Sequence, residues 1–235
     1  MCGRYQAWFD DDREELVNII EREKKGNSQK YFRQNEVYPG TEMPIIYGSY
    51  STVRAHNAVW GFPIERRRED LGALRQRDNT ATEQTSMFET ESATGFRTNE
   101  KRIGKSMRYR SDIVINARAE TAENKLMFKD AFENGRALVL ASGYYEWSNG
   151  VKYRFRHNSD GEEGAILMAA LEKIVDDERR YVILTTESLG TPAEIHDRMP
   201  VFVQREEMRD WLYDTDSARK ILSRKISCGM RAERV

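Results

Sequence analysis

Arg136-Ala137-Leu138-Val139-Leu140-Ala141-Ser142-Gly143-Tyr144-Tyr145-Glu146-Trp147 is the stretch whose reading decides the fold. It reads as a strand over 136–147 whose far end carries a glycine, two tyrosines, an acid and a tryptophan. Shorter runs of the same character surround it: 53–62, ending at Trp60-Gly61-Phe62-Pro63, then 112–116, 153–157, 165–171 and 181–186. Helical spacing is confined to 122–133, 191–196 and 206–213, and to 10–24, where Leu16, Val17, Ile19 and Ile20 lie among acids and bases after an acidic N-cap region. Strands therefore dominate, and most connections are too short for repeated parallel crossovers. The reading is an α+β fold: a predominantly antiparallel, barrel-like sheet with flanking helices.

Two segments interrupt that pattern. Residues 31–50 are broken by Pro39-Gly40 and Pro44 and read as a loop between short extended pieces. Residues 64–111 are polar, with Arg66-Arg67-Arg68 at one end and Lys101, Arg102, Lys105, Arg108 and Arg110 at the other. Such a segment buries little and reads as an inserted arm in one main domain spanning 2–235. Its basic clusters could track a nucleic-acid strand, whereas a solvated loop is the plainer reading.

Composition narrows the function classes. In 235 residues, 39% are hydrophobic, enough for a proper core, and 33% are charged, yet the formal net charge is -1. No global field draws the chain to a polyanion, so a nucleic-acid surface must be local. No apolar run is long enough for a bilayer and the polar start lacks a signal-peptide core, so a cytoplasmic location and no membrane partner are expected. Cys2 and Cys228 lie at opposite ends, and His56, His157 and His196 are scattered, so neither a metal nor a cofactor is expected. No glycine-rich phosphate loop and no internal repeat is present.

Met1-Cys2-Gly3-Arg4-Tyr5 opens the chain. If Met1 is trimmed, Cys2 carries an α-amine and a thiol on adjacent carbons. The amine condenses with an aldehyde to an imine, and the thiolate then closes onto the imine carbon as a thiazolidine. An α-amine titrates at about 7.7 to 8.0 against about 10.4 for lysine, so it is nucleophilic at neutral pH without unusual burial. Three further clusters bear chemistry. Asn116-Ala117-Arg118-Ala119-Glu120-Thr121 follows an apolar strand, where alternate side chains line a cleft. Glu146 sits between aromatics, where desolvation suits it to proton transfer, or else it pairs with Arg118 or Arg198. His196-Asp197-Arg198-Met199-Pro200 places a histidine, a proton carrier near neutrality, beside an acid and a base.

Taken in order, Met1 to Tyr5, Asn35-Glu36-Val37-Tyr38-Pro39-Gly40-Thr41, Trp60-Gly61, the Asn116 and Gly143 motifs and His196 to Pro200 resemble the SRAP family, named for SOS-response-associated peptidases. The resemblance spans Met1 to about Trp211, apart from 64–111. It implies a SRAP-like fold and a protein that senses abasic sites in single-stranded DNA. The lesion is captured by a covalent crosslink through Cys2 and so shielded from strand cleavage, with lyase activity in some members; removal of Met1 is implied to be autoproteolytic or coupled to maturation, a general aminopeptidase being the alternative. In a bacterium it implies association with the nucleoid. By the same resemblance Cys2, Asn116, Glu146 and His196 are catalytic. His196 shuttles the proton that opens the sugar, Glu146 orients or deprotonates the Cys2 amine, and Asn116 bonds the closing ring. Arg4, Asn35, Pro39, Gly40, Arg118, Thr185 (or Thr186) and Arg198 are implied at the DNA. This chain departs from the family after Pro63, where Ile64-Glu65-Arg66 stands in place of a tryptophan.

Two readings from other classes stand beside it. Met-Cys-Gly also opens glutamine amidotransferases, in which an N-terminal cysteine attacks the glutamine amide. The third is a noncatalytic DNA-binding module in which Cys2 is merely buried. The residues do not fix the oligomeric state.

Overall fold

A computed structural model describes residues 2–7, 36–64, 113–159, 162–224 and 229–235. The helix expected over 10–24, nearly all of the 64–111 segment, Asn35 and Cys228 lie outside the described residues. The chain divides into two compact units, one of Met1–Phe62 with Val114–Val235, the other of Pro63–Ile113. The main sheet, its helices and the site all belong to the first unit.

Among the described residues eleven strands form one sheet. They are β1 (Arg4–Ala7), β2 (Glu42–Ser49), β3 (Thr52–Trp60), β4 (Asn116–Arg118), β5 (Arg136–Ser148) and β6 (Val151–Ser159). After them come β7 (Glu162–Gly164), β8 (Ile166–Val175), β9 (Glu178–Glu187), β10 (Arg198–Pro200) and β11 (Met230–Arg234). The central path runs β8-β9-β3-β2-β5-β6-β11, and β8 pairs back onto β5. That pairing closes β8, β9, β3, β2 and β5 into a five-stranded barrel. The pairings are antiparallel except where β9 runs parallel to β3 and to β4. The helices are α1 (Ala119–Ala122), α2 (Leu126–Asn134), α3 (Met208–Tyr213) and α4 (Thr215–Ser223).

Side-chain alternation assigns the two faces of this sheet. Along β5, Ala137, Val139 and Ala141 pack with Ile166, Met168 and Ala170 of β8 and with Tyr181 and Ile183 of β9, in a cluster that includes Cys2 and Tyr5. The intervening Leu138, Leu140, Leu167, Leu171, Val182 and Leu184 pack instead with Phe128, Phe132 and Trp211 from the helices. Both faces are buried, so β5 reads as a continuous apolar run. His56 of β3 and Glu172 of β8 lie on the Cys2 side of their strands. They touch at 2.6 Å although β9 separates them in the sheet. Side chains two strands apart meet on the concave side, so that face is the barrel interior and the helices coat the outside.

Two residues of the 136–147 stretch show how tightly it is specified. Arg136 is buried, and its guanidinium donates to Phe132 O at 2.6 Å, Glu133 O at 3.1 Å and Trp211 O at 2.7 Å. One cation thus satisfies the carbonyls that end α2 and ties α3 to the barrel. A Cβ at Gly143 would lie 2.4 Å from Phe155 O, a backbone atom that cannot move aside, so β6 reaches β5 only because a glycine stands there.

Over the described residues 36–50 the structure differs from a loop between short extended pieces: β2 is an eight-residue strand. Pro44 pairs only with Asn57 of β3, because the pairing of β2 with β5 covers Ile46 and Tyr47. The missing N–H therefore faces no partner strand. The helix read over 122–133 is two elements, α1 and α2, and the helix read over 191–196 is a single 3₁₀ turn over Thr191–Glu194. The sequence reading gave no counterpart to β1, β7, β10, α4 and β11.

Candidate active site

Cys2 precedes β1, which pairs with β5 so that Arg4 lies opposite Tyr145 and Tyr5 opposite Tyr144. This register brings the chain start alongside the distant Gly143 motif. Cys2 is fully buried, and its Sγ donates to Arg4 O at 3.4 Å. Asn116, the first residue of β4, donates from Nδ2 to Cys2 O at 2.8 Å, while its Oδ1 is buried with no hydrogen-bond partner among the described residues. Parallel pairing of β4 with β9 fixes that position, with Asn116 opposite Ile183.

Glu146, near the end of β5, is 3% exposed. Burial pushes its carboxyl above the usual range, while the nearby charge of His196 pulls it back. Burial also drives the Cys2 thiol far up, and the negative charge of Glu146 adds to that rise. The thiol therefore rests protonated, and a thiolate requires a base or a change of surroundings. His196 follows the 3₁₀ turn and directs Nε2 toward Glu146 Oε2 at 3.9 Å, just beyond hydrogen-bond reach. Its Nδ1 meets the Arg198 backbone N–H at 3.0 Å and Asp197 Oδ1 at 2.9 Å. Cys2, Asn116, Glu146 and His196 thus converge from the chain start, β4, β5 and the turn before β10. A protonatable pair stands beside a cysteine anchored by its carbonyl.

The residues read as DNA contacts divide into groups. Arg4 pairs with Glu36 at 3.3 Å and stacks over Tyr38 at 4.5 Å and Trp147 at 4.8 Å. Lys152 also pairs with Glu36 and lies over Tyr145 at 4.2 Å. The result is a strip of cations and aromatics flanking Glu146. Pro39 and Gly40 form a turn in which Gly40 has φ of 82° and donates to Trp60 O at 2.8 Å. Arg118 is exposed at the end of β4. Thr185 is fully buried with its hydroxyl turned to Ala117 O at 3.5 Å, whereas Thr186 faces a cleft of about 370 Å³ lined also by Glu120, Glu123 and Leu189.

Arg198 is taken up by the protein. It forms a two-pronged pair with Glu120 of α1, at 2.8 and 2.9 Å, and donates to Thr185 O at 2.5 Å. Glu120 was not singled out in the sequence, although it lies within the Asn116 motif. Its partner stands 78 positions away, a distance that spacing cannot bridge. Tyr5 and Tyr181 share a hydroxyl hydrogen bond at 2.8 Å, and Trp60 Nε1 donates to Ile115 O at 2.9 Å beneath the site. Among the described residues no three His, Cys, Asp or Glu side chains are grouped to hold a metal, and no helix is long and apolar enough to cross a membrane.

Fold and site together define a class: a small closed barrel with a cysteine near the chain start, placed against a buried glutamate and a histidine. The chain belongs to the SOS response associated peptidase (SRAP) family, whose family model matches residues 1–235. It is similar to the abasic site processing protein YedK of Escherichia coli, 35% identical over 106 residues, which cover 42% of this chain and 47% of YedK. It is also similar to the abasic site processing protein YoaM of Bacillus subtilis, 29% identical over 109 residues with the same coverages. The match thus spans about half the length of these curated relatives. Two solved structures share the fold. One is a protein from Bacteroides thetaiotaomicron, with TM-score 0.62 and 19% identity, covering 100% of this chain and 92% of that one. The other is a phage-related protein from Bordetella bronchiseptica, with TM-score 0.64 and 20% identity, covering 100% and 94%.

Proposed function

We propose that this protein processes abasic sites in single-stranded DNA, capturing the lesion as a covalent adduct on Cys2 once Met1 is removed. The observation that carries the reading is the convergence of Cys2, Asn116, Glu146 and His196 from four separate parts of the chain. Relatives that bear the name abasic site processing protein support the same substrate class.

The chemistry follows from the groups present. Loss of Met1 turns the Cys2 amide nitrogen into an α-amine. The hydrogen bond from Asn116 to Cys2 O holds that residue in place, so the amine meets the aldehyde of the ring-opened deoxyribose without a search. The nitrogen attacks the carbonyl carbon, giving a carbinolamine. Loss of its hydroxyl as water leaves an imine, and His196 supplies the proton that water carries away. The thiol sulfur then bonds to the imine carbon while the thiol proton passes to nitrogen, giving a thiazolidine. Aldehyde and aminothiol become ring plus one water, with no redox change.

Glu146 is the base in this sequence. Burial raises its proton affinity, so it accepts a proton from the amine or thiol more readily than an exposed carboxylate does. Closing the ring also relieves the thiol of forming a free thiolate in a buried site. Arg4 and Arg118 contact flanking phosphates, and recognition falls on backbone and strand flexibility because the lesion has no base to read. Elimination from the imine would cut the strand; ring closure removes the imine and so protects it.

The test is denaturing electrophoresis after mixing the protein with single-stranded and duplex oligonucleotides that contain one abasic site. A shifted band that survives denaturation, stronger for the single strand and absent without the lesion, is the expected result. A shift equal on undamaged DNA, or none on any substrate, overturns the proposal.

A further inference from the structure

We infer that the face of β1, β5, β6 and β11 turned away from the Cys2 cluster is a further contact surface for single-stranded DNA, one that holds the strand beyond the lesion by its phosphates. The inference rests on the functional reading above and extends it from the lesion to the strand that flanks it.

The register of β1 on β5 shifts between Gln6, opposite Gly143, and Ala7, opposite Ala141. A bulge of this kind exchanges the two faces of a strand. Before it Ala137, Val139 and Ala141 pack in the Cys2 cluster, and after it Tyr144 does. Glu146 follows Tyr144 by alternation, while Tyr145 and Trp147 turn to the opposite face. Along that face Arg4 of β1 lies opposite Tyr145, Tyr145 opposite Arg154 of β6, and Arg154 opposite Glu233 of β11. On one side of this row Trp147 pairs with Lys152, and on the other Arg156 pairs with Arg231. Phe155 of β6, between two of these arginines, is buried in the Cys2 cluster, which fixes its neighbours on the outward side. The three rows thus carry five cations, Arg4, Lys152, Arg154, Arg156 and Arg231, and one acid, Glu233.

In a chain of formal net charge -1, this is the local field that binding to a polyanion requires. Arg156 and Arg231 stand directly across from each other, and like charges so placed destabilise a sheet. Burial and the neighbouring charge of Arg154 also make the Arg156 cation harder to hold. A phosphate backbone laid over the row offsets both costs. Nearer the site, Arg4 and Lys152 lie over the ring of Trp147, at 4.8 and 5.8 Å, and that ring is still 38% exposed. Cations interleaved with aromatic faces suit single strands bound without regard to sequence. Neighbouring strands of a sheet stand about 4.8 Å apart, so the surface runs about 14 Å from β1 to β11. It begins at Arg4, two residues after Cys2, and therefore continues from the site rather than competing with it. Glu36 pairs with Arg4 and Lys152, and Glu233 with Arg154 at 2.7 Å. Phosphates take over donors that these carboxylates hold, and the binding is salt-sensitive.

Arg231→Gln and Arg234→Gln make a matched pair: both residues are exposed on β11, but Arg234 lies opposite Tyr153 and so on the other face. Parent and variants are titrated with single-stranded oligonucleotides that carry one tetrahydrofuran in place of the lesion, flanked on each side by about two or by about eight nucleotides. The parent is expected to bind the longer one roughly tenfold or more tightly than the shorter. Arg231→Gln is expected to weaken the longer complex roughly fivefold at low salt and to lower its slope of log affinity against log salt by about 0.7, the share of one phosphate. Adding Arg156→Gln should bring the loss of slope to about 1.4. Affinity for the shorter oligonucleotide should change less than about twofold in each, and Arg234→Gln should match the parent on both.

Equal losses from Arg231→Gln and Arg234→Gln overturn the inference, because the effect is then one of net charge alone. So does a longer oligonucleotide that the parent binds no more tightly than the shorter, or parent-like affinity in the double variant. If the parent shows these affinities and yet captures no abasic site, the functional reading falls and the surface stands.

Discussion

Among the described residues two histidine–glutamate pairs are found, and their difference separates structure from chemistry. In the barrel interior His56 and Glu172 meet at 2.6 Å, the imidazole lies against Tyr47 at 4.0 Å between centroids, and Arg179 approaches the same carboxylate at 3.9 Å. That pair is satisfied by its own neighbours. His196 and Glu146 stand 3.9 Å apart, and the glutamate is the more buried of the two. Their facing atoms lie within ion-pair range without a direct hydrogen bond between them. The first ties β3 to β8; the second stores proton affinity beside a cysteine.

The comparison breaks most readily at the histidines. His196→Gln is expected to slow covalent capture by about a hundredfold or more, the usual worth of a positioned acid-base group, while His56→Gln leaves the rate within about twofold. Gel-resolved capture kinetics on one abasic-site oligonucleotide check both; equal losses would erase the distinction.

Stability should invert the ranking. Glu172→Gln weakens a half-buried charged hydrogen bond and is expected to cost about 1 to 3 kcal/mol by denaturant unfolding. Glu146→Gln is expected to do the reverse at neutral pH. Because burial raises the Glu146 carboxyl above its unfolded value, ionisation is disfavoured in the folded state. Stability from this group is intact below about pH 4.3, where both states are protonated, and is lost as pH rises through the folded value. The glutamine variant should match the parent in acid and exceed it at neutrality. Thermal unfolding at several pH values tests this, and a variant less stable than the parent at neutral pH contradicts it.

A smaller effect sharpens the account of the arginines. Arg118→Ala, at an exposed position, should lower the slope of log affinity against log salt by about 0.7 for single-stranded DNA, the share of one phosphate contact. Arg198→Ala should leave that slope unchanged, since its guanidinium is committed to Glu120 and Thr185 O.

Much of this was legible in the chain, for identifiable reasons. Residues 136–147 announce a strand because both faces of β5 are apolar, and Gly143 is required by the close approach of Phe155 O. The members of the proposed site, Cys2, Asn116, Glu146 and His196, could be picked out because each sits in a short motif of its own. Where the reading failed, partners were far away or local signals misled. Pro44 hid β2, since only the three-dimensional pairing shows that its lost N–H costs nothing. The sequence of β11, Met230-Arg231-Ala232-Glu233-Arg234, is too charged to announce a strand, yet it pairs along 153–157 at an edge where charge is tolerated. For α4 the signal was present: Asp214 accepts from Ser217 N at 2.5 Å as an N-cap. The pairing of Arg198 with Glu120 was not legible because nothing in sequence joins the two.

The central claim is that Cys2 uses both its amine and its sulfur to trap the lesion, and adduct durability tests it most directly. Parent and Cys2→Ser, each verified by mass to lack Met1, are reacted with the abasic-site oligonucleotide, denatured, and challenged with hydroxylamine, which exchanges imines. The account predicts that the parent adduct persists while the serine adduct is released. An equally durable serine adduct, or a parent adduct that hydroxylamine strips away, would contradict it.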